Sequence, residues 1–148
     1  MVDPLHKERV PIIVLGHPLL TFNKNSMTIT EYTISLSNVH LYAHHGVMPQ
    51  EQEIGAWFTV DAELAVSDHS CAVTDEIGGT VSYADVYGLI VREMSSPSKL
   101  LENVAHRIIR CIFDEFAVVS RVEVKITKDT PPMGGDRLSA AVTLKAHR

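Results

Sequence analysis

The chain has 148 residues, of which 45% are hydrophobic and 21% are charged. These proportions are typical of one globular domain with a buried core. The formal net charge is −5 and no basic stripe is interleaved with aromatic residues, so nucleic acid is not an expected partner. No apolar run reaches the ~18 residues that a membrane span needs, and we therefore expect no membrane partner.

Two isolated cysteines indicate the compartment. Cys71 and Cys111 have neither CxxC spacing nor neighbours spaced as metal ligands. Reduced thiols are the default interpretation of such cysteines, which predicts a cytoplasmic protein.

Residues 1–26 differ in character from the rest of the chain. They contain three of the seven prolines and a short apolar run, VPIIVLG, which lacks the length and cleavage site of a signal peptide. We interpret them as an extension that is disordered or derives from an upstream start or a cloning addition. The alternative is a docked arm in which PIIVL adds an edge strand. The main domain is then expected to span residues 27–148.

The first predicted strand runs from Tyr32 to Leu41, with a bulge near Asn38 where the apolar alternation breaks. A loop from Tyr42 to Gly55 follows. The second predicted strand, WFTVDAELAV, has the clearest alternation in the chain. Two strands joined by a loop of this length predict an antiparallel pair.

Two helices are predicted next. Ser82 and Asp85 have the spacing of a capping box at the start of the first helix, and SSPSK ends it. The apolar stripe of the first helix consists of Val86, Leu89, Ile90 and Met94. The second helix has one broad apolar face. This face consists of Leu101, Val104, Ala105, Ile108, Ile109, Ile112 and Phe113.

Two further strands complete the predicted fold. The third contains Val122, Val124 and Ile126 in alternation and ends at Lys128, before two prolines that cannot donate to a sheet ladder. The last strand is expected to turn four residues inward: Leu138, Ala140, Val142 and Leu144. The order ββααββ predicts an α+β domain, in which two helices cover one face of a four-stranded antiparallel sheet.

Four candidate functional side chains lie at the ends of these elements, where functional residues concentrate on rigid scaffolds. They are Glu51 in the first loop, Tyr83 and Glu102 at the two helix starts, and Lys128 at a strand end. Each also has an ordinary interpretation. Tyr83 can be a half-buried ring, Glu102 a charge that suits the helix dipole, and Glu51 and Lys128 solvated surface.

Taken together, four motifs are similar to those of the dihydroneopterin aldolase family of folate biosynthesis. HHGVMPQEQEIG, GTVSYADV, LLENVAHRI and VKITKDTPP occur in the family's order from about Tyr32 to the C-terminus. The resemblance implies a tunnelling-fold (T-fold) subunit that assembles into a ring, as a tetramer or octamer with active sites between subunits. It also implies a lyase that cleaves 7,8-dihydroneopterin into 6-hydroxymethyl-7,8-dihydropterin and glycolaldehyde, without a metal, a cofactor or a Schiff base.

The resemblance also implies residue roles. The implied catalytic residues are Glu51, Tyr83 and Lys128. Glu102 is the implied anchor of the pterin, and main-chain groups near Val81 and Leu101 are expected to complete the hydrogen bonds of the ring. Gly79, where the family commonly has an acidic residue, and the turn PPMGGDR depart from the family pattern.

The chemistry of this reaction suits these residue types. A pterin presents its 2-amino group and N3–H side by side, and one carboxylate accepts both. Retro-aldol cleavage needs a base and an electron sink, and the C=N bond of the dihydropterin ring is such a sink. Lys128 can therefore act as an acid/base group without becoming covalent. Glu51 would orient it, and Tyr83 would move a proton at the side chain of the substrate.

Three alternatives remain open. His40, His44 and His45 suggest the zinc site of related T-fold enzymes, but adjacent side chains of an extended strand diverge, so packing or loop hydrogen bonding is favoured. His45 is still a candidate pocket residue. A related pterin epimerase would return a stereoisomer instead of glycolaldehyde. A non-catalytic pterin-binding ring would bind without turnover, even after loss of Lys128.

Overall fold

The structure is a computed structural model that describes residues 27–148. The predicted extension, residues 1–26, lies outside the described residues. The elements are β1 Tyr32–Ala43, α1 Pro49–Ile54, β2 Ala56–Val66, α2 Cys71–Thr74, a 3₁₀ turn Ile77–Gly79, α3 Tyr83–Met94, α4 Leu101–Glu115, β3 Val119–Lys128 and β4 Ala140–His147.

The four strands form one antiparallel sheet in the order β1-β2-β3-β4, as the alternating patterns predict. The register of β1 against β2 shifts between Leu36 and Val39, and Asn38 has a φ of 58°. The predicted bulge near Asn38 is therefore confirmed. The helices α3 and α4 pack against each other and against one face of the sheet.

The core lies between this face and the two helices. Strand side chains alternate between the two faces of a sheet, so every second residue of β2 and β3 points toward the helices. Phe58, Val60, Val124 and Ile126 are fully buried in this way.

The predicted helix faces are confirmed by burial. The four residues of the first stripe are the four buried residues of α3. The Ser82 side chain accepts a hydrogen bond from the Asp85 N–H at 3.3 Å, which caps the start of this helix. No helix of the described residues is long and apolar enough to span a bilayer.

Two predictions about the fold are wrong in detail. The order ββααββ omits α1, α2 and the 3₁₀ turn, which form where loops were expected. None of these short segments buries a residue, so they carry no apolar stripe to detect. Leu138 precedes β4 and is exposed rather than inward. Ala140 pairs with the inward Lys128 but is exposed, because β4 lies at an edge of the sheet.

Candidate active site

An ion pair between Glu51 and Lys128 lies at the end of β3. Nζ of Lys128 is 2.5 Å from Oε1 of Glu51. Lys128 continues the inward alternation of Ile126 and is 8% exposed, so it is not a solvated surface lysine. Its ammonium also lies 5.6 Å from the ring centroid of Phe58, the residue opposite it on β2. A buried ammonium needs a partner, and the Glu51 carboxylate supplies it.

Glu51 is held from two sides. It lies in the first turn of α1, where its Oε2 accepts the N–H of Met48 at 3.0 Å. The hydrogen bond from Lys128, followed by that from the Met48 main chain, holds the pKa of Glu51 below its ordinary value. The carboxylate is therefore the stable form of Glu51 beside the lysine.

Gly46 leaves the space that Glu51 occupies. A Cβ atom at position 46 would lie 2.5 Å from Cβ of Glu51 and 2.6 Å from its Oε2. The Gln52 side chain donates to the carbonyl of Gly46 at 2.8 Å, which fixes the same loop against α1. The sequence showed Gly46 as loop punctuation and gave no sign of this close approach.

The start of α3 carries two predicted site residues. Tyr83 is its first residue and is 71% exposed, whereas Val81 is buried. The Tyr32 hydroxyl donates to Thr80 Oγ1 at 2.9 Å and so fixes the chain just before this helix. Tyr83 is therefore exposed to solvent at the start of a helix whose preceding segment is held by a hydrogen bond.

The start of α4 carries two more of the predicted site residues. Glu102 is exposed in its first turn, and Leu101 is half-buried. Among residues 27–148, neither Tyr83 nor Glu102 makes a hydrogen bond or ion pair with the Glu51–Lys128 pair. The structure therefore brings together two of the six predicted site residues, and the roles of all six stay predictions.

The three clustered histidines have separate partners. His40 bonds Asp129 at 2.9 Å, His44 bonds a main-chain carbonyl at 2.8 Å, and His45 accepts from a main-chain N–H at 3.2 Å. Within the described part of the chain, no three His, Cys, Asp or Glu side chains are grouped so that they could hold a metal ion.

The four-stranded antiparallel sheet with two helices over one face has the architecture of a T-fold subunit. Two solved structures share this fold. Escherichia coli dihydroneopterin aldolase in complex with neopterin has a TM-score of 0.70 at 22% identity, covering 78% of this chain and 98% of that one. The Burkholderia enzyme bound to guanine has a TM-score of 0.64 at 16% identity, covering 80% of this chain and 92% of that one.

Sequence similarity narrows the class to one family. The family model for dihydroneopterin aldolase (FolB) matches residues 34–145. The dihydroneopterin aldolase of Streptococcus pyogenes serotype M6 is 32% identical over 117 residues, which is 78% of this chain and 98% of that protein. The chain belongs to the dihydroneopterin aldolase family.

Proposed function

We propose that this protein catalyses the reaction of its family, the retro-aldol cleavage of 7,8-dihydroneopterin in folate biosynthesis. The products are 6-hydroxymethyl-7,8-dihydropterin and glycolaldehyde, and the enzyme is an aldehyde-lyase. The observation that carries the proposal is the largely buried ion pair of Glu51 and Lys128, with Nζ and Oε1 2.5 Å apart, in a member of this family. A carboxylate and an ammonium in contact are groups that can accept and donate protons.

Glu102 is the proposed anchor of the pterin ring. Its carboxylate is exposed at the start of α4 and is free to accept the 2-amino group and N3–H together. Neopterin and guanine, the ligands of the two structural neighbours, both present an amino group beside a ring N–H. Main-chain groups near Val81 and Leu101 would bind the remaining polar atoms of the ring.

The proton transfers fall to the acid–base pair and Tyr83. A base removes the proton of the hydroxyl on the second side-chain carbon, and the bond between the first and second carbons breaks. Its electrons move into the ring C=N bond, and the ring nitrogen takes a proton while glycolaldehyde leaves. Protonation of the first carbon, with loss of the proton from the ring nitrogen, then restores the C=N bond. Lys128 exchanges protons with the substrate and stabilises charge at the ring nitrogen. Glu51 orients the Lys128 ammonium. Tyr83 delivers or removes a proton at the side-chain hydroxyl of the substrate.

The complete site is proposed to form between subunits of a ring-shaped tetramer or octamer. Tyr83 and Glu102 are exposed, and in the described residues they have no hydrogen bond or ion pair with Glu51 or Lys128. The strands β1 and β4 lie at opposite edges of the sheet, where pairing with a neighbouring subunit would cover them. A ring joins these edges and lets one subunit complete the site of the next.

The direct test is an assay of purified protein with dihydroneopterin, run with and without a chelator. We expect release of glycolaldehyde at the same rate in both. Recovery of a stereoisomer without glycolaldehyde would indicate an epimerase instead. Pterin binding without turnover would indicate a non-catalytic ring, and inhibition by the chelator would point to a metal-dependent reaction.

A further inference from the structure

Two hydrogen bonds to the main chain of Ser98 tie the loop before α1 to the loop before α4. The Gly46 N–H donates to the Ser98 carbonyl at 3.0 Å, and the Ser98 N–H donates to Nδ1 of His45 at 3.2 Å. The first loop leads into the helix that carries Glu51, and the second leads into the helix that carries Glu102. These bonds therefore join the acid/base side of the proposed site to its ring-anchoring side.

His45 is suited to be a permanent acceptor. It is 1% exposed, and its ring packs edge-on against Phe58 with the centroids 5.3 Å apart. Because Nδ1 accepts, the neutral ring carries its proton on Nε2. Burial, with the positive charges of Arg107, His44 and Lys128, lowers the pKa of His45 to about 4. The ring is thus neutral at physiological pH. Protonation of Nδ1 would place a second donor opposite the Ser98 N–H and break this hydrogen bond.

Arg107 of α4 holds the loop before α4, the loop that contains Ser98. All five of its guanidinium N–H groups have acceptors. These are Ser98 Oγ, Asn103 Oδ1 at 2.9 Å, the Ser96 carbonyl at 2.9 Å, and the Glu93 carbonyl and Oε2 at 2.7 and 3.3 Å. The Arg107 side chain is 22% exposed and that of Glu93 15%, so the network is largely shielded from water. A rigid fork of this kind sets the shape of the loop that it holds.

We propose that His45 and Arg107 are positioning residues, which act through Ser98 to hold the acid/base pair at a fixed distance from the start of α4. With Gly46 they form a loop clamp. This inference rests on the proposed function, because it concerns a substrate held by its ring at one loop and cleaved beside the other. A misplacement of about 1 Å between such groups costs on the order of 10²-fold in rate.

A pair of His45 variants tests the acceptor. His45→Asn keeps an oxygen near the position of Nδ1, whereas His45→Phe keeps the ring and removes the acceptor. We expect His45→Phe to lower kcat by at least ~10-fold, because the acid/base groups are then misplaced, with a much smaller change in pterin affinity. His45→Asn should retain most of the rate. The pKa of the Glu51 carboxyl, followed by NMR, should rise in His45→Phe because Lys128 is no longer held against it.

A second pair on α4 tests the arginine. Arg107→Lys keeps the charge and loses the fork, whereas Arg110→Lys makes the same change at an exposed position of the same helix. We expect Arg107→Lys to lower kcat and raise the pKa of Glu51, and Arg110→Lys to do neither. This pair decides the question if His45→Phe does not fold.

If Arg107→Lys keeps both the wild-type kcat and an unchanged pKa of Glu51, the loop-clamp proposal is overturned. Equal losses in His45→Asn and His45→Phe would also overturn it, since the acceptor would then not matter. If the wild-type protein does not cleave dihydroneopterin, the proposed function fails separately. The Glu51 pKa in the four variants then decides for or against the clamp without reference to activity.

Discussion

At the residue scale, Lys128 combines burial with a close partner. We expect Lys128→Ala to lower turnover by roughly 10²–10⁴-fold, the effect typical of a lost acid/base group. Pterin affinity should change much less, because Glu102 and main-chain groups are proposed to hold the ring. Steady-state kinetics and calorimetry measure the two effects. Lys125→Ala is the matched control, since Lys125 is exposed on the same strand.

Two results would contradict this role for Lys128. Full activity of the alanine variant would remove the lysine from the mechanism. An adduct trapped on the wild-type enzyme by borohydride in the presence of substrate would mean a Schiff-base aldolase rather than proton exchange by Lys128.

Glu102 allows a separate prediction about binding. Glu102→Gln presents one donor and one acceptor to a ligand edge that has two donors. Leaving one donor unmatched costs on the order of 1–3 kcal/mol, so pterin affinity measured by calorimetry should fall at least several-fold. Guanine affinity should fall in parallel, since guanine presents the same pair of donors. Asp114→Asn, an exposed position near the other end of α4, is the control. Unchanged affinity in Glu102→Gln would exclude Glu102 from the site.

At the scale of elements, α1 is held in place by the absence of a side chain at position 46. Gly46→Ala would place a Cβ 2.5 Å from that of Glu51, so Glu51 must shift away from position 46 and out of its present contact with Lys128. We expect a large loss of turnover with a small loss of stability, because α1 buries no residue. Gly88→Ala is the control, since its Cβ would have no atom within 4 Å. That change should leave the rate intact and raise the melting temperature, because alanine favours helix. Wild-type turnover in Gly46→Ala would show that the close approach is unimportant.

The sequence predicted the elements better than the contacts between them. The stripe of α3 and the bulge near Asn38 follow from local periodicity, and both are present. The helix α1 was missed because six residues with no buried member show no helical stripe. The contact between Glu51 and Lys128 joins residues 77 positions apart, and such a distance is set by tertiary packing rather than by local pattern. The packing of His45 agrees with the interpretation favoured for the histidines, but its partner Ser98, 53 positions away, has no signal in the sequence.

At the scale of the whole molecule, β1 and β4 are the edge strands of the sheet in residues 27–148, and the site is proposed to be completed by a neighbouring subunit. The edge strands β1 and β4 span 12 and 8 residues, long enough to pair with a neighbouring subunit. We therefore expect a symmetric homo-oligomer, and light scattering at micromolar concentration measures its mass. A monomer would contradict both the ring and the shared site.

Mixing two inactive variants tests whether subunits share the site. Tyr83→Phe removes the phenol hydroxyl and Lys128→Ala removes the ammonium, so each homo-oligomer should be nearly inactive. Tyr83 is 71% exposed and, among the described residues, has no bond to Lys128, as expected if it serves a neighbour. If each site takes one residue from each subunit, random hybrids contain intact sites at about a quarter of their interfaces. Activity should therefore return when the two variants are unfolded together and refolded. Its continued absence, in hybrids shown by mass spectrometry to have formed, would place both residues in the site of a single chain.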